Sequence, residues 1–124
     1  MTRWLVDGMN VIGSRPTGWW RDRPGAMRAL AGKLSELSRS SGDEVTVVFD
    51  GRPFELEPAE GVTVAFARRR GRDAADDDIV ELVTGDDDPG SLTVVTSDRA
   101  LTERVAEAGA QVVGTGEFRR RLGS

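Results

Sequence analysis

The sequence predicts one α/β domain with a mostly parallel central sheet and helices on both faces of the sheet. Short apolar runs alternate along the chain with segments in which apolar residues recur at helical spacing, an alternation typical of βαβ units. The chain has 124 residues, of which 38% are hydrophobic, enough for one core and not for two. We therefore interpret residues 1–124 as a single domain.

The first half of the chain predicts three strands and one long helix. Residues 3–6 form a short apolar run that is typical of a buried strand. Residues 11–25 contain glycine, two prolines and a tryptophan pair, and they predict a loop. Apolar residues then recur at helical spacing over residues 26–40, and a glycine follows. Residues 44–49 and 62–67 predict the second and third strands.

The second half predicts two more strands and three helical segments. Residues 73–84 predict a helix that is capped by the aspartate at its start. Residues 92–97 predict a strand, and residues 99–108 predict a helix with one apolar face, closed by a glycine. Residues 110–113 predict the last strand, and residues 118–122 predict a final helical turn or two.

The residues that the chain lacks exclude several kinds of chemistry. It contains no cysteine and no histidine, which excludes disulfide scaffolds, thiolate chemistry, the usual zinc sites and serine–histidine triads. Lys33 is the only lysine, so we expect neither Schiff-base chemistry nor a phosphate-binding lysine loop. No Gly-x-Gly-x-x-Gly follows the first predicted strand, so we expect no nucleotide cofactor. No apolar stretch is long enough for a membrane span or a signal peptide, so we expect a cytoplasmic protein with no membrane partner. Any catalysis must rest on carboxylates.

Three aspartates lie at the ends of predicted strands, namely Asp7, Asp50 and Asp98. Because the carboxyl ends of parallel strands meet at one edge of a sheet, these side chains should lie together where such sheets bind ligands. Each could instead only cap the helix that follows it. A helical wheel adds Asp76, which falls inside the apolar arc of its helix and should face the sheet. The sequence therefore predicts four carboxylates at one edge.

Four carboxylates at one edge repel one another. Two of them about 5 Å apart cost roughly 3 kcal/mol at an effective dielectric of about 20, so protons or a cation must relieve the repulsion. An all-oxygen set of donors suits Mg²⁺ or Mn²⁺. Such an ion can activate water and stabilise a phosphodiester during hydrolysis without a protein nucleophile.

Four short motifs follow one another along the chain. They are Asp7-Gly8-Met9-Asn10-Val11-Ile12-Gly13, Val48-Phe49-Asp50-Gly51, Ala75-Asp76-Asp77-Asp78-Ile79 and Val95-Thr96-Ser97-Asp98-Arg99. In this order they resemble the NYN branch of the PIN-like nucleases, and within it the small bacterial YacP-like group. The resemblance covers nearly the whole chain. It implies a three-layer α/β/α sandwich and a divalent-metal-dependent endoribonuclease that cleaves single-stranded RNA, in mRNA decay or RNA processing.

The resemblance also implies roles for individual residues. The implied metal-coordinating acids are Asp7, Asp50, Asp76 and Asp98, with Asp77 as an additional candidate. Asn10 would orient a ligand or a bound water, or it could fix the turn after the first strand. Ala74 stands where the family commonly has serine or threonine, so Asp73 must supply the helix cap.

An acidic edge alone would repel RNA, so positive and aromatic side chains should lie beside it. The candidates for phosphate contact are Arg52, Arg68, Arg69, Arg70, Arg72, Ser97 and Arg99. Ser97 could instead cap the next helix. Trp19 and Trp20 could stack on an unpaired base, or they could anchor their loop to the domain. The expected partner is single-stranded mRNA, free or on the ribosome, and the oligomeric state is not predicted.

Other functions remain open on the same fold. A PIN-like RNA-binding module that has lost catalysis would keep the same residues, and metal-dependent RNA cleavage distinguishes it from the nuclease. A toxin-type PIN ribonuclease has the right size, although the motifs are closer to the NYN pattern. A haloacid-dehalogenase-like phosphatase is disfavoured, because Met9 stands where it needs a second aspartate and no lysine is suitably placed.

Overall fold

The computed structural model describes residues 1–68, 71 and 74–123, which form five strands and five α-helices. The strands are β1 (Arg3–Asp7), β2 (Glu44–Phe49), β3 (Val62–Phe66), β4 (Leu92–Val95) and β5 (Gln111–Val113). The helices are α1 (Gly8–Gly13), α2 (Arg23–Ser41), α3 (Ala74–Thr84), α4 (Arg99–Glu107) and α5 (Thr115–Leu122). Single turns of 3₁₀ helix occupy Trp19–Arg21 and Pro89–Ser91.

The five strands form one sheet in the order β3-β2-β1-β4-β5, and each pair of neighbours is parallel. In the registers of the two central pairs, Asp7 lies beside Val48 of β2 and Val6 lies beside Val95 of β4. From β1 the chain adds β2 and then β3 on one side of the sheet. It then returns to the other side of β1, where it adds β4 and then β5. This reversal leaves a crevice beyond the carboxyl ends of β1 and β4, the usual place for a ligand in such sheets.

Helices cover both faces of the sheet, which confirms the predicted α/β/α sandwich. Successive residues of β1 point to opposite faces: Trp4 and Val6 belong to one core cluster, and Leu5 belongs to the other. Helices α1, α2 and α5 pack on the first face, and α3 and α4 pack on the second. The two clusters contain most of the fully buried side chains of the described residues. Both faces of β1 are therefore apolar up to its last residue.

The predicted loop after β1 was wrong at both ends. Helix α1 begins directly at Gly8, where a Cβ atom would lie 2.5 Å from a ring carbon of Phe49, so the chain turns there because glycine has no side chain. Helix α2 begins three residues earlier than its apolar periodicity indicates. Its start is stabilised by Asp22, whose side chain accepts a hydrogen bond from the Gly25 backbone N–H at 3.0 Å, and by Pro24 in the first turn.

Two more boundaries differ from the prediction, and one predicted contact lies outside the described residues. Strand β4 ends at Val95, so Asp98 lies three residues beyond it. Helix α5 begins at Thr115, because the Phe118 backbone N–H already bonds to the carbonyl of Gly114. The predicted helix cap Asp73 lies outside the described residues. None of the described helices is both long and apolar enough to cross a membrane.

Candidate functional site

An open cleft lies at the carboxyl edge of the sheet, beyond the ends of the neighbouring strands β1 and β4. The residues that line it are Asp7, Met9, Asn10, Asp50, Asp76 and Asp98. They come from four separate parts of the chain: the β1–α1 junction, the end of β2, the first turn of α3 and the loop after β4. The structure thus brings together all four carboxylates that strand polarity and the helical wheel predicted at one edge.

Asp7 is the one buried carboxylate among the residues lining the cleft, with 6% of its surface exposed. Thr96 Oγ1 donates a hydrogen bond to its Oδ2 at 3.0 Å. Burial is the main cause that raises the pKa of Asp7 to about 7. The carboxylates of Asp76 and Asp50 add to this rise in pKa, and the Thr96 hydroxyl opposes it. Asp7 is therefore a carboxylate whose charged form is disfavoured mainly by its burial.

Asn10 holds the loop after β4 against α1. Its Oδ1 accepts a hydrogen bond from the Ser97 backbone N–H at 2.8 Å. The Ser97 hydroxyl lies 2.8 Å from the Thr115 hydroxyl and accepts a hydrogen bond from the Thr115 backbone N–H at 2.9 Å. Asn10 and Ser97 together therefore connect α1, the β4–α4 loop and the start of α5. Thr96 joins the two aspartates directly, because its Oγ1 donates to Asp7 and accepts a hydrogen bond from the Asp98 backbone N–H at 3.1 Å.

Asp98 and Asp50 each have a second partner besides the cleft. Asp98 Oδ1 accepts a hydrogen bond from the Leu101 backbone N–H at 2.9 Å, so Asp98 caps α4 and also lines the cleft. Asp50 Oδ1 lies 3.2 Å from Nη2 of Arg23. Asp7, in contrast, makes no side-chain capping bond although it precedes α1. The capping alternative therefore describes one part of the role of Asp98, and at Asp7 the backbone N–H of Asn10 in the first turn of α1 acts against the rise in pKa.

Two predicted site residues lie elsewhere. Asp77 is one residue, about 100°, further around α3 than Asp76, and its Oδ1 lies 3.1 Å from Nη2 of Arg104. Arg68 contacts the other flank of α3, where its backbone N–H and Nε donate to Asp78 at 2.8 and 3.2 Å and its Nη2 pairs with Glu81. The structure therefore does not bring Asp77 or Arg68 to the cleft.

The remaining candidates for RNA contact fall into three groups. Arg69, Arg70 and Arg72 lie outside the described residues. Arg52 and Arg99 are exposed and follow cleft aspartates closely in the chain. Trp19 packs half-buried against the core, so for this residue the anchoring alternative applies, whereas Trp20 is 54% exposed.

Arg23 is a charged residue beside the cleft that the sequence analysis missed. It falls in the segment that the sequence predicts as the loop after β1, and its partner Asp50 lies 27 residues further along the chain. Its guanidinium carbon lies 5.6 Å from the centroid of the Trp19 ring, a cation–π distance. The one available signal was Asp22-Arg23-Pro24, which is typical of a helix start.

The chemistry of the cleft fits a hard divalent cation. Its ligand atoms are carboxylate and amide oxygens, with a thioether as the one other functional group in its lining. Burial raises the pKa of Asp7, with smaller contributions from Asp76 and Asp50, and a bound cation would favour its ionised form. Among the described residues no three acidic side chains are already assembled as a ligand group. Coordination by several of them would therefore require the carboxylates to draw closer together.

A comparison of the whole chain with protein families agrees with this site. Residues 4–124 match the family described as the YacP-like NYN domain. The chain belongs to the YacP-like NYN family. The resemblance drawn from the four sequence motifs is therefore confirmed. Membership in this family supports a nuclease-like, RNA-related function.

Solved structures show the same fold. A crystal structure of a point mutant of Rae1 (YacP) from Bacillus subtilis superposes with a TM-score of 0.83 at 27% identity, covering 99% of this chain and 76% of that chain. A second Rae1 (YacP) crystal structure gives a TM-score of 0.82 at 26% identity, covering 99% and 74%. No curated protein sequence matches the chain. The YacP-like fold thus extends over nearly all of this chain.

Proposed function

We propose that this protein is a divalent-metal-dependent endoribonuclease that hydrolyses phosphodiester bonds in single-stranded RNA. The observation that carries the proposal is the convergence of Asp7, Asp50, Asp76 and Asp98 on one open cleft at the switch point of the sheet. These residues come from distant parts of the chain, and capping explains the position of one of them. Membership in the NYN family supports the same function.

The four carboxylates would hold Mg²⁺ or Mn²⁺ in the cleft. When bound, such an ion supplies an activated water and stabilises the charge that develops on the phosphodiester. Thr96 orients Asp7 through its 3.0 Å hydrogen bond, and Asn10 holds the loop that carries Asp98. The charge of Asp7 depends on the ion, because its pKa of about 7 leaves it partly protonated at neutral pH without a cation.

The substrate side of the proposal rests on the charges beside the cleft. Arg52 and Arg99 are exposed next to cleft aspartates and are placed to contact phosphates, and Trp20 offers an exposed aromatic ring. We propose single-stranded mRNA in the cytoplasm as the substrate, free or on the ribosome. The cellular process is then mRNA decay or RNA processing.

Cleavage of a mixed-sequence single-stranded RNA tests this function. The protein is incubated with the RNA in Mg²⁺, in Mn²⁺ and in EDTA, and Asp7→Asn is run in parallel. We expect internal cleavage with either ion, none in EDTA and a large loss of rate in Asp7→Asn. A thermal melt of the same samples reports ion binding directly, because an ion that binds only the folded protein raises Tm.

The outcomes separate the candidate functions. RNA binding and a metal-dependent rise in Tm without cleavage would support a module that has lost catalysis. No rise in Tm at millimolar Mg²⁺ or Mn²⁺ would contradict the ion site. Cleavage that persists in EDTA would contradict metal dependence.

A further inference from the structure

Arg23 lies at the junction between the acidic cleft and an exposed tryptophan. It is the first residue of α2, and its Nη2 donates to Asp50 Oδ1 at 3.2 Å. Its guanidinium also lies over the ring of Trp19. Its side chain is 42% exposed, so the group that neutralises a cleft carboxylate also faces solvent. Arg23 is therefore a positive charge that two neighbours hold at the rim of a negative cleft.

An ion pair this exposed contributes little to folding stability, so stability is a weak reason for Arg23 to stand here. A guanidinium carries five N–H donors in a planar fork that suits phosphate oxygens. A single contact to Asp50 uses a small part of that capacity. The cleft itself repels a phosphate backbone, and a fixed positive charge at its rim offsets this repulsion where a strand would approach.

The aromatic neighbours of Arg23 add a second kind of contact. Trp19 and Trp20 form an edge-to-face pair with ring centroids 5.8 Å apart and an interplanar angle of 84°. Trp19 packs against the core, whereas Trp20 is 54% exposed. A positive charge for phosphates and a supported aromatic ring for bases are the two elements by which proteins bind single-stranded nucleic acid.

Arg68, an arginine that contacts α3, has different surroundings from those of Arg23. Arg68 donates to Asp78 and pairs with Glu81, and both of these acids lie outside the cleft lining. Its positive charge is therefore paired with acidic residues of α3 and not with the cleft. Arg23, in contrast, pairs with a carboxylate of the cleft itself.

We propose that Arg23 binds a phosphate of the RNA strand at the rim of the acidic cleft while Trp20 stacks on a neighbouring base. The strand then approaches the carboxylates over the 3₁₀ turn before α2. This inference deepens the proposed function, because it specifies how the RNA of that nuclease is held. It assigns a binding role to a residue that none of the four sequence motifs contains.

The test measures RNA binding without divalent metal, so that cleavage plays no part. A short fluorescein-labelled single-stranded RNA is titrated in EDTA at several salt concentrations, and anisotropy gives Kd. The variants are Arg23→Gln, Arg23→Lys and Trp20→Ala. The matched controls are Arg104→Gln, which removes the same charge from an Arg–Asp pair of nearly equal length, and Leu82→Ala, which removes an exposed apolar side chain on α3.

We expect Arg23→Gln to raise Kd about five- to tenfold and to lower the slope of log K against log salt by roughly 0.7, the effect of one phosphate contact on a single strand. Arg23→Lys should keep most of the slope, because it keeps the charge. Trp20→Ala should raise Kd at least about fivefold with an unchanged slope, since stacking releases no counterions. The controls should change Kd by less than about twofold, and thermal melts verify that each variant is folded.

Equal effects of Arg23→Gln and Arg104→Gln would overturn the inference and reduce Arg23 to a surface ion pair. Absence of RNA binding by the unmodified protein would overturn it as well. Metal-dependent cleavage by the unmodified protein, together with normal RNA binding by the Arg23 variants, would support the nuclease activity and overturn this inference. RNA binding that depends on Arg23, without cleavage in Mg²⁺ or Mn²⁺, would support this inference and contradict the proposed nuclease activity.

Discussion

Two arginine–aspartate pairs of this protein are nearly identical in geometry and differ in what surrounds them. Nη2 of Arg23 lies 3.2 Å from Asp50 Oδ1, and Nη2 of Arg104 lies 3.1 Å from Asp77 Oδ1. The two arginine side chains are 42% and 46% exposed. Yet Asp50 lines the cleft at the carboxyl edge of the sheet, whereas Asp77 lies outside that lining, where its pair with Arg104 connects α3 to α4.

The difference shows that the length of an ion pair says little about its role. Both aspartates belong to motifs from which metal ligands were predicted. In the tertiary structure Asp50 lines the cleft, whereas Asp77 takes part in a contact between two helices. The two pairs can therefore be used as controls for each other. Replacing either arginine removes one positive charge and one contact to an aspartate, but only the pair with Arg23 involves the cleft.

The largest expected effect compares the neighbours Asp76 and Asp77. We expect Asp76→Asn to lower metal-dependent RNA cleavage by about 1,000-fold, because a carboxylate lost from an ion site removes several kcal/mol of transition-state stabilisation. Asp77→Asn should lower it by less than about twofold. Single-turnover cleavage rates in Mn²⁺ measure both. Equal losses in the two variants would contradict the separation of the cleft from the flank of α3.

The next effect concerns stability and pH at Asp7. Its pKa of about 7 in the folded protein lies above the ordinary value of 3.8, so the folded state binds the proton more tightly than the unfolded state between these values. The free energy of unfolding should therefore fall as pH rises from about 4 to 7. Asp7→Asn removes this penalty, and it should stabilise the metal-free protein at pH 8 by roughly 4 kcal/mol, which corresponds to a pKa raised from 3.8 to about 7, and at pH 4 hardly at all.

Urea denaturation in EDTA at a series of pH values measures this difference. Asp77→Asn is the control from the other region, and we expect it to change the free energy of unfolding by less than about 1 kcal/mol at any of these pH values. A stabilisation by Asp7→Asn that is the same at pH 4 and pH 8 would show that the charge of Asp7 is not its cause.

The smallest effect returns to the two arginines. We expect Arg23→Gln and Arg104→Gln each to lower the free energy of unfolding by less than about 1 kcal/mol, because both pairs are solvent-exposed. Their difference should lie in RNA binding and not in stability. A much larger loss of stability in Arg23→Gln would mean that its contacts with Asp50 and Trp19 mainly hold α2 in place.

The sequence by itself determined the strands, their parallel arrangement and the positions of four carboxylates. These features depend on the periodicity of apolar residues and on the direction of the strands. Both follow from short stretches of sequence. Asp76 illustrates this best, because its place on the apolar arc of its helix was sufficient to put it in the cleft. The start of α1 at Gly8 was missed, because it depends on close packing against Phe49, about 40 residues away in the chain.

Only the tertiary structure decided which charges meet. The pairing of Arg23 with Asp50 and the bond from Ser97 to Asn10 join residues 27 and 87 positions apart. Such contacts depend on how the ends of separate elements meet in space, for which periodicity gives no signal. The same holds for Asp7, which lies at the end of a strand like Asp50 but is buried beneath Thr96. Burial depends on the layers packed above and below a strand, and it gives these two similar aspartates different environments.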